Sequence, residues 1–213
     1  RIIRWAELLS IRHLANGAMC SCFTAELDGE TVVIKTPRKD STETKKEIER
    51  ELRIEEAILQ ELDHPNIIKL VGKGTTEDGS SFLALEYLAG GTLRDVINER
   101  RLHMADSKGL QRLNPWHQAR MKPVPLADDL CWAKELAEAL HYMHVEASDD
   151  HSYLCRDVKP ENVGFTADGT LKLFDFGLAK RVKRLKRKGP TGECMERYVM
   201  TSQTGTVRYM APE

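Results

Sequence analysis

The chain has 213 residues, of which 41% are hydrophobic and 31% are charged, and its formal net charge is −1. This length suits one large domain or two small lobes with a real core, and the balanced charge excludes a global field that favours nucleic acid or a membrane surface. No apolar run approaches the roughly 18 residues of a membrane helix and no signal peptide is evident, so we expect a cytoplasmic protein without a membrane partner.

The first third of the chain reads as short strands separated by turns. A strand is predicted from Leu8 to Leu14, and another from Phe23 to Leu27, where Asp28-Gly29 forms a typical hairpin turn. The β-branched run at 31–34 predicts a third strand, which ends at Lys35.

The apolar period then changes from that of a strand to that of a helix. A helix is predicted over 43–62, with Ile48, Leu52, Leu59 and Leu62 on one face. The segment Asp63-His64-Pro65-Asn66 ends it, because proline disfavours helix in the residue before it. Two further strands are predicted near 67–71 and 82–86, with a turn at 77–80.

The middle of the chain combines two predicted helices with an insertion. Gly90-Gly91 precedes a short helix at about 92–100, and the proline-containing segment 101–125 predicts an insertion loop. Helical period returns at 126–144. Its predicted core stripe consists of Leu130, Ala133, Ala137, Leu140 and Met143.

Three short motifs in the second half outline a site for phosphoryl transfer. They are Asp157-Val158-Lys159-Pro160-Glu161-Asn162, Asp175-Phe176-Gly177 and Ala211-Pro212-Glu213. Each alone is weak evidence, but their order and spacing supply a base, metal ligands and a segment that seats the acceptor.

The charged residues of these motifs suit distinct chemical roles. Asp157 is the predicted catalytic base for a substrate hydroxyl, and Lys159 is predicted to neutralise charge on the transferred group. Asn162 and Asp175 offer oxygen atoms, which are the ligands that Mg²⁺ prefers.

Lys35 ends an apolar strand, which would place its ammonium group at the rim of a cleft. We expect a carboxylate of the following helix to hold it there. Glu55 is the predicted partner, and Glu56 is the competitor, rotated by about 100° around the helix. A surface ion pair of little energetic value is the alternative for any single Lys–Glu pair.

Together these residues resemble the catalytic domain of eukaryotic protein kinases over nearly the whole chain. The resemblance implies an α+β, bilobal fold in which an antiparallel sheet and helix C form the N-terminal lobe and the C-terminal lobe is mostly helical. It assigns 1–88 to the N-terminal lobe, ending in the hinge. It assigns 89–213 to the first part of the C-terminal lobe, with helices D and E, the insertion 101–125, the catalytic loop and the activation segment. Further helices are expected after Glu213, so this lobe is incomplete.

The resemblance also implies ATP and Mg²⁺ as cofactors. It makes Leu85 the gatekeeper, places the hinge at Glu86-Tyr87-Leu88, and puts Thr92 and Asp95 at the ribose edge. The residues that it places around ATP are Gly17, Cys22, Val33, Lys35, Leu85, Glu86, Leu88, Thr92 and Gly164.

The spacing of Lys159 and the Gly205-Thr206 pair resemble serine/threonine kinases. The amino-acid sequence of 204–210 is most similar to that of the tyrosine-kinase-like group. The resemblance therefore implies protein substrates with serine or threonine acceptors.

Three departures from the family pattern bear on activity. Of the glycine-rich loop only Gly17 remains, so we expect a looser phosphate cradle. The family alanine above adenine is Val33 and the leucine below it is Gly164, which predicts that adenine sits lower in the cleft. Cys155 replaces a histidine, and we expect it to pack beneath Phe176 as a small hydrophobe.

Regulation is expected in the activation segment. Arg156 resembles the arginine that binds an activation-loop phosphate; the candidate acceptors are Thr201, Ser202 and Thr204, with Thr201 favoured. We expect Thr206 to position the acceptor and the catalytic loop instead.

The run Lys180–Lys188 is the densest cluster of charge. We interpret it as a solvated loop, with two alternatives. One is docking of acidic or already phosphorylated substrates. The other is nuclear import or a nucleic-acid patch, although the run lacks interleaved aromatic residues.

Two other classes of protein compete with an active protein kinase. A pseudokinase scaffold is favoured by the eroded glycine loop and disfavoured by the intact charged residues. A small-molecule kinase is disfavoured by the peptide-seating segment 205–213. The sequence gives no indication of oligomeric state.

The five cysteines show no spacing typical of a metal site. They are Cys20, Cys22, Cys131, Cys155 and Cys194, and only Cys20 and Cys22 stand close together. We expect free thiols in a reducing compartment, with a redox role for the Cys20/Cys22 pair as the alternative.

Overall fold

The computed structural model describes residues 1–106, 126–184, 186–188, 194–196 and 204–210. Within them, the α-helices are α1 (Lys45–Glu61), α2 (Leu93–Asp106) and α3 (Leu126–His141). The strands are β1 (Ile2–Arg4), β2 (Leu9–Asn16), β3 (Cys20–Leu27), β4 (Glu30–Pro37), β5 (Leu70–Thr75), β6 (Ser81–Glu86), β7 (His151–Leu154), β8 (Val163–Phe165), β9 (Leu171–Leu173), β10 (Lys180–Lys183), β11 (Lys186–Lys188) and β12 (Cys194–Glu196). No described helix is both long and apolar enough to cross a membrane.

The N-terminal part is a six-stranded sheet in the order β1-β5-β6-β4-β3-β2. The predicted hairpin joins β3 to β4, and both turn residues adopt positive φ, 55° at Asp28 and 84° at Gly29. Along β4, Val32 and Ile34 are buried in a core on one face. Because successive side chains of a strand alternate, Val33 and Lys35 lie on the other face, toward α1 and the cleft.

The sequence patterns did not predict β1, which pairs in parallel with β5. Two glycines of β5 make room for it. A Cβ atom at Gly74 would lie 2.1 Å from the main-chain oxygen of Ile3, and one at Gly72 would lie 2.6 Å from the Ile3 side chain. Ile3 is buried beside Leu8 and Phe82, so β1 completes the core on this face of the sheet.

Helix α1 confirms the predicted helix and its buried face. Thr44 caps its N-terminus, since its side chain accepts from the Glu47 amide while the Glu47 carboxylate accepts from the Thr44 amide. The stripe Ile48, Leu52, Leu59 and Leu62 is buried, and the same stripe carries the carboxylate of Glu55, of which 1% is exposed. Helix α1 therefore directs the carboxylate of Glu55 into the core.

Helix α2 is longer than predicted, since residues 101–106 are helical rather than part of an insertion loop. At the predicted end of the helix, Arg100 contacts α3. Arg100 forms a salt bridge with Asp129 at 2.6 Å and lies over the ring of Trp132. The remainder of the predicted insertion, 107–125, lies outside the described residues.

Helix α3 ends at His141 rather than 144 and continues as a π-helical turn over Tyr142–Glu146. The predicted core stripe is wrong at three of its five positions, because Leu130 is 63% exposed and Ala133 and Ala137 are also exposed. Its other two residues, Leu140 and Met143, do face the core. Ala139 and Met143 are buried there, with Trp132, Leu136 and Leu140 packed around them.

The C-terminal part is organised around two small antiparallel pairs, β8 with β9 and β7 with β10. The predicted strand at 67–71 starts later, because Ile67 and Ile68 contact Leu173 of β9 rather than joining the six-stranded sheet. One hydrophobic cluster includes Leu52 and Leu59 from α1 and Val163 and Leu173 from these pairs. This shared core holds the two parts against each other and leaves a cleft between them.

The basic run is not the solvated loop predicted for it, at least over Lys180–Lys183, which form β10. Arg181 donates to Glu61 at the end of α1 at 2.9 Å. Arg184 donates to the main-chain oxygens of His144 and Val145, at 2.7 and 2.5 Å, and so satisfies carbonyl groups of the π-helical turn. These cations are structural.

Candidate functional site

The cleft between the two parts has a volume of about 880 Å³. Its upper wall comes from β2, β3, β4 and α1. Its back is the segment after β6, and its lower wall comes from the loops at 157–162 and 174–178.

Lys35 stands at the back of this cleft between two carboxylates. Its Nζ atom donates to Glu55 Oε2 at 2.5 Å and to Asp175 Oδ1 at 2.8 Å, and the side chain is 13% exposed. Glu56 instead pairs with Lys73 outside the cleft, at 2.5 Å. Glu55 rather than Glu56 reaches Lys35 because α1 packs against β4 and Glu55 lies on the buried stripe of α1.

Burial and charge act in opposite directions on this cluster. Burial disfavours the charged form of Lys35, but the coulombic attraction of Glu55 and Asp175 outweighs it, so the pKa of Lys35 is raised well above its usual value. The charge of Lys35 lowers the pKa of Asp175 against the effect of burial. At neutral pH the cluster therefore has a positive centre and an ionised Asp175.

Asp157 is held by hydrogen bonds on both carboxylate oxygens. Lys159 Nζ donates to Oδ2 at 2.6 Å, and the Thr206 hydroxyl donates to Oδ1 at 2.6 Å. The Thr206 amide adds a bond to Oδ1 at 3.0 Å. Burial works to raise the pKa of Asp157, but the hydrogen bonds from Lys159 and Thr206 outweigh it and keep that pKa below its usual range. Asp157 is therefore ionised at neutral pH.

The loops that carry Asp157 and Asp175 are tied together through Asn162. Its side-chain nitrogen donates to the main-chain oxygen and to Oδ2 of Asp157, at 2.9 and 3.0 Å. Its main-chain oxygen accepts from the amide of Phe174 at 3.0 Å. Since Asp175 follows Phe174 directly, Asn162 fixes the distance between the two acids.

The segment after Asp175 is anchored to the core. Phe176 is fully buried, and its amide donates to Glu55 Oε1 at 3.3 Å. Asp175 and Arg156 both adopt positive φ, 66° and 65°, a conformation that non-glycine residues seldom keep without surrounding support. Arg156 donates to the main-chain oxygen of Leu178 at 2.7 Å. Cys155 is buried in the same cluster as Phe176 and Leu59, and burial raises its pKa to about 11.

Most of the residues assigned to nucleotide binding from the sequence line the cleft. These are Gly17, Cys22, Val33, Lys35, Leu85, Glu86, Leu88 and Thr92. The Thr92 hydroxyl donates to Asp95 at 2.6 Å in the first turn of α2.

Gly164 does not line the cleft, and the expected low floor beneath adenine is absent. A Cβ atom there would lie 2.6 Å from Leu88 and 3.1 Å from Phe174, so those side chains already fill the space. Phe174 does line the cleft and was missed from the sequence, although its place next to Asp175 was a signal.

The turn between β2 and β3, which corresponds to the glycine-rich loop, is held by polar contacts. Asn16 accepts from the Ser21 hydroxyl at 2.9 Å, and the Gly17 amide donates to the oxygen of Cys20 at 2.8 Å. Burial raises the pKa of Cys20 to about 12 and also raises that of Cys22. Both thiols are therefore protonated at neutral pH, which disfavours the alternative of a redox pair.

A second charged network in the lower part was also missed. Arg94 of α2 donates to Glu161 in the catalytic loop at 2.9 Å and to the hydroxyl of Tyr209 at 2.9 Å. It joins the segment 204–210 to the loop that carries Asp157. The other predicted features of the activation segment, Thr201, Ser202 and 211–213, lie outside the described residues.

A two-part α+β fold with a Lys–Glu–Asp cluster on one side of the cleft and an Asp–Lys–Asn loop on the other defines a protein kinase catalytic domain. Residues 9–213 match the family model described as "Protein kinase domain", and the chain belongs to this family.

Individual relatives agree with this family. The chain is 33% identical over 164 residues to the serine/threonine-protein kinase BIK1 of Arabidopsis thaliana, a match covering 77% of the chain and 34% of the relative. It is 32% identical over 215 residues to the tyrosine-protein kinase MasK of Myxococcus xanthus, covering 95% and 28%. It is 28% identical over 200 residues to the receptor protein kinase WSS1 of Oryza sativa, covering 94% and 18%. The chain thus spans about a third or less of the length of these relatives.

Proposed function

We propose that this protein transfers the γ-phosphate of Mg-ATP to serine and threonine hydroxyls of protein substrates. The observation that carries the proposal is the position of Asp157. Its ionised carboxylate is bound by Lys159 and Thr206, and it lines the same cleft as the Lys35–Glu55–Asp175 cluster. An acceptor at Asp157 and a nucleotide at Lys35 would therefore share one cleft.

The described residues fit a nucleotide with its metal. The apolar side chains Val33, Leu85 and Leu88 would hold the base, and the ammonium of Lys35 would meet the phosphates. The side-chain nitrogen of Asn162 donates to Asp157, which leaves the side-chain oxygen of Asn162 for a cation. The carboxylate of Asp175 would be the second ligand of that cation. Bound Mg²⁺ would neutralise and align the phosphate oxygens.

In the transfer step we assign Asp157 to accept the proton of the substrate hydroxyl. Its lowered pKa keeps it ionised and able to orient that hydroxyl. Lys159, whose Nζ lies 2.6 Å from Asp157, would offset negative charge on the transferred group. Glu55 would keep Lys35 pointed into the cleft, which is the positioning role of this ion pair in phosphoryl transfer.

We propose serine and threonine as acceptors because of the contact of Lys159 with Thr206, at 3.1 Å, and because of the amino-acid sequence of 204–210. The names of BIK1 and of MasK, respectively a serine/threonine-protein kinase and a tyrosine-protein kinase, make the acceptor the first property to test. Docking of acidic substrates stays a proposal for the basic run 180–188, and nuclear import stays the alternative.

The second candidate function is a pseudokinase scaffold on the same fold. The loss of the loop glycines favours it, because Ala15 and Cys20 replace residues that would let main-chain amides approach phosphates. The intact Lys35–Glu55 pair and the ionised Asp157 oppose it.

The test uses the intact protein, Mg-ATP and three matched peptides that differ only in a serine, threonine or tyrosine acceptor. We expect phosphate on serine and threonine, none on tyrosine, and loss of transfer in Asp157→Asn. Phosphate on tyrosine alone would overturn the acceptor assignment. Nucleotide binding without any transfer would favour the scaffold. If the basic run docks substrates, KM for an acidic peptide rises with salt while KM for a neutral one does not.

A further inference from the structure

Position 164 is closely surrounded by side-chain and main-chain atoms of its neighbours. Besides Leu88 at 2.6 Å and Phe174 at 3.1 Å, a Cβ atom would lie 3.3 Å from the main-chain oxygen of Gly91. Only the Leu88 contact is below 3.0 Å, so a terminal methyl group of Leu88 would have to move. The other two contacts are tight, and the Gly91 main chain is tied to β8, since its oxygen accepts from the Phe165 amide at 3.0 Å. The space that a larger residue at 164 would fill is thus already occupied.

The Phe174 ring is one of the groups that occupy it, and its main chain is fixed. Its amide bonds to the Asn162 oxygen at 3.0 Å, and Asp175 follows it. The side chain is partly buried against the main hydrophobic cluster and has a surface in the cleft. The loop that presents the acidic groups therefore also presents a rigid aromatic surface.

Apolar side chains also line the cleft on the side of the sheet and at its back edge. Val33 of β4 and Cys22 of β3 line it from the sheet, and Leu85 and Leu88 line its back edge. Burial raises the pKa of Cys22, so its thiol is uncharged. A flat heteroaromatic ring bound in the cleft would have these apolar groups and the Phe174 side chain available as contacts, since all of them line it.

We propose that Phe174 is the surface on which the nucleotide base rests, in place of a side chain at position 164. This inference rests on the proposed function, because it needs an adenine nucleotide in this cleft. Residues 164 and 174 then form a complementary small–large pair. A smaller residue at 174 alone, or a larger one at 164 alone, should weaken binding of the base. Making both changes together should restore an apolar surface under the base.

The test is a double-mutant cycle on the intact protein with Phe174→Ala, Gly164→Leu and the combination. Calorimetry gives Kd for Mg-ADP, and tripolyphosphate, which has no base, is the control ligand. Phe174→Ala is expected to weaken Mg-ADP binding by about ten- to hundredfold, because it removes the apolar surface under the base. Tripolyphosphate binding is expected to stay unchanged. Gly164→Leu is expected to weaken Mg-ADP binding through its clash with Leu88, and the double variant is expected to recover most of the loss.

Phe174→Leu and thermal unfolding without nucleotide guard against trivial loss of the fold. A cooperative transition shows that a variant is folded, and Phe174→Leu should retain most of the affinity, since it keeps an apolar surface. Unchanged Mg-ADP affinity in a folded Phe174→Ala variant would overturn the inference. The inference would also be overturned if Phe174→Ala weakened tripolyphosphate binding as much as Mg-ADP binding, or if the losses of Mg-ADP affinity in the two single variants added up in the double variant. An unmodified protein that binds no nucleotide would overturn it as well.

The outcomes also separate this inference from the proposed function. Nucleotide binding that depends on Phe174 in a protein that never transfers phosphate would retain the inference and remove the kinase activity. Transfer that continues with unchanged nucleotide affinity in Phe174→Ala would do the reverse.

Discussion

At the scale of single residues, the site depends on charges that are stable only as a group. Glu55 is almost fully buried on a stripe that is otherwise apolar, and Lys35 is its cationic partner. A buried carboxylate without a partner is strongly destabilising, because nothing replaces its hydration. The same lysine lowers the pKa of Asp175, so the sheet, α1 and the loop at Asp175 depend on one ammonium group.

Replacing Lys35 should therefore cost far more than replacing an exposed lysine. We expect Lys35→Met to lower the free energy of unfolding by about 3–5 kcal/mol, because it leaves Glu55 buried and unpaired. Denaturant unfolding measures the effect. The matched control is Lys73→Met, whose pair with Glu56 is 40% exposed on the lysine side, with an expected cost of about 1 kcal/mol or less. Adding Glu55→Met should recover part of the loss, and equal costs for the two lysines would contradict this account.

A pH profile tests the environment of Asp157. The Thr206 hydroxyl donates to the ionised carboxylate and so favours its charged form, which lowers the pKa of Asp157. Removing the donor in Thr206→Val should raise that pKa, so the acid limb of the kcat–pH profile should move to higher pH. Thr206→Ser keeps the hydroxyl and should keep the profile. An unmoved acid limb in the valine variant would show that this hydrogen bond does not tune Asp157.

Residue-scale chemistry was largely readable from the sequence, because short motifs carry it. The roles of Asp157, Lys159, Asn162 and Asp175 were predicted from three short motifs and from their order and spacing. Phe174 was not, since its role depends on which side chain fills the space beside Gly164. That space is defined by the Gly91 main chain and by the register of β8 with β9, and neither leaves a local pattern.

At the scale of elements, periodicity predicted long segments and failed for short ones. Helix α1 begins and ends within two residues of its predicted limits because its stripe repeats over several turns. Strand β1 has three residues, too few for a period, and is held by the glycines opposite it. Residues 101–106 extend α2 beyond the predicted end of that helix, and the nearest contact with α3 is the salt bridge of Arg100 with Asp129.

The fit of β1 against β5 gives a prediction at this scale. Gly74→Ala would bring a Cβ atom against the Ile3 oxygen and to 2.5 Å from the Phe82 ring. We expect a loss of about 1–3 kcal/mol of unfolding free energy, as for other overpacked sites. Thr75→Ala, on the exposed neighbour, should change it by about 0.5 kcal/mol or less. Deleting residues 1–4 should reduce the effect of Gly74→Ala, and an undiminished effect would place the strain elsewhere.

At the scale of the whole molecule, the cleft is the joint product of its two walls. The sheet and α1 supply Lys35 and Glu55, while the lower loops supply Asp157, Asn162 and Asp175. The salt bridge of Lys35 with Asp175 and the hydrophobic cluster cross between these walls, so the site exists only when both parts are packed together. The family resemblance predicted this bilobal arrangement, and the match of 9–213 to the protein kinase domain confirms it.

We assign Asp157 to proton acceptance in the transfer step and nucleotide binding to other residues of the cleft, and this assignment is central to the proposed function. It is tested most directly by the single-turnover rate of γ-phosphate transfer to a protein substrate, measured for the intact protein and for Asp157→Asn, with Kd for Mg-ATP determined on the same samples. We expect the rate to be lower by about 10²–10⁴-fold in the variant, with Kd unchanged, because only the base is lost. Transfer at the same rate in Asp157→Asn, or none by an intact protein that binds Mg-ATP, would contradict it.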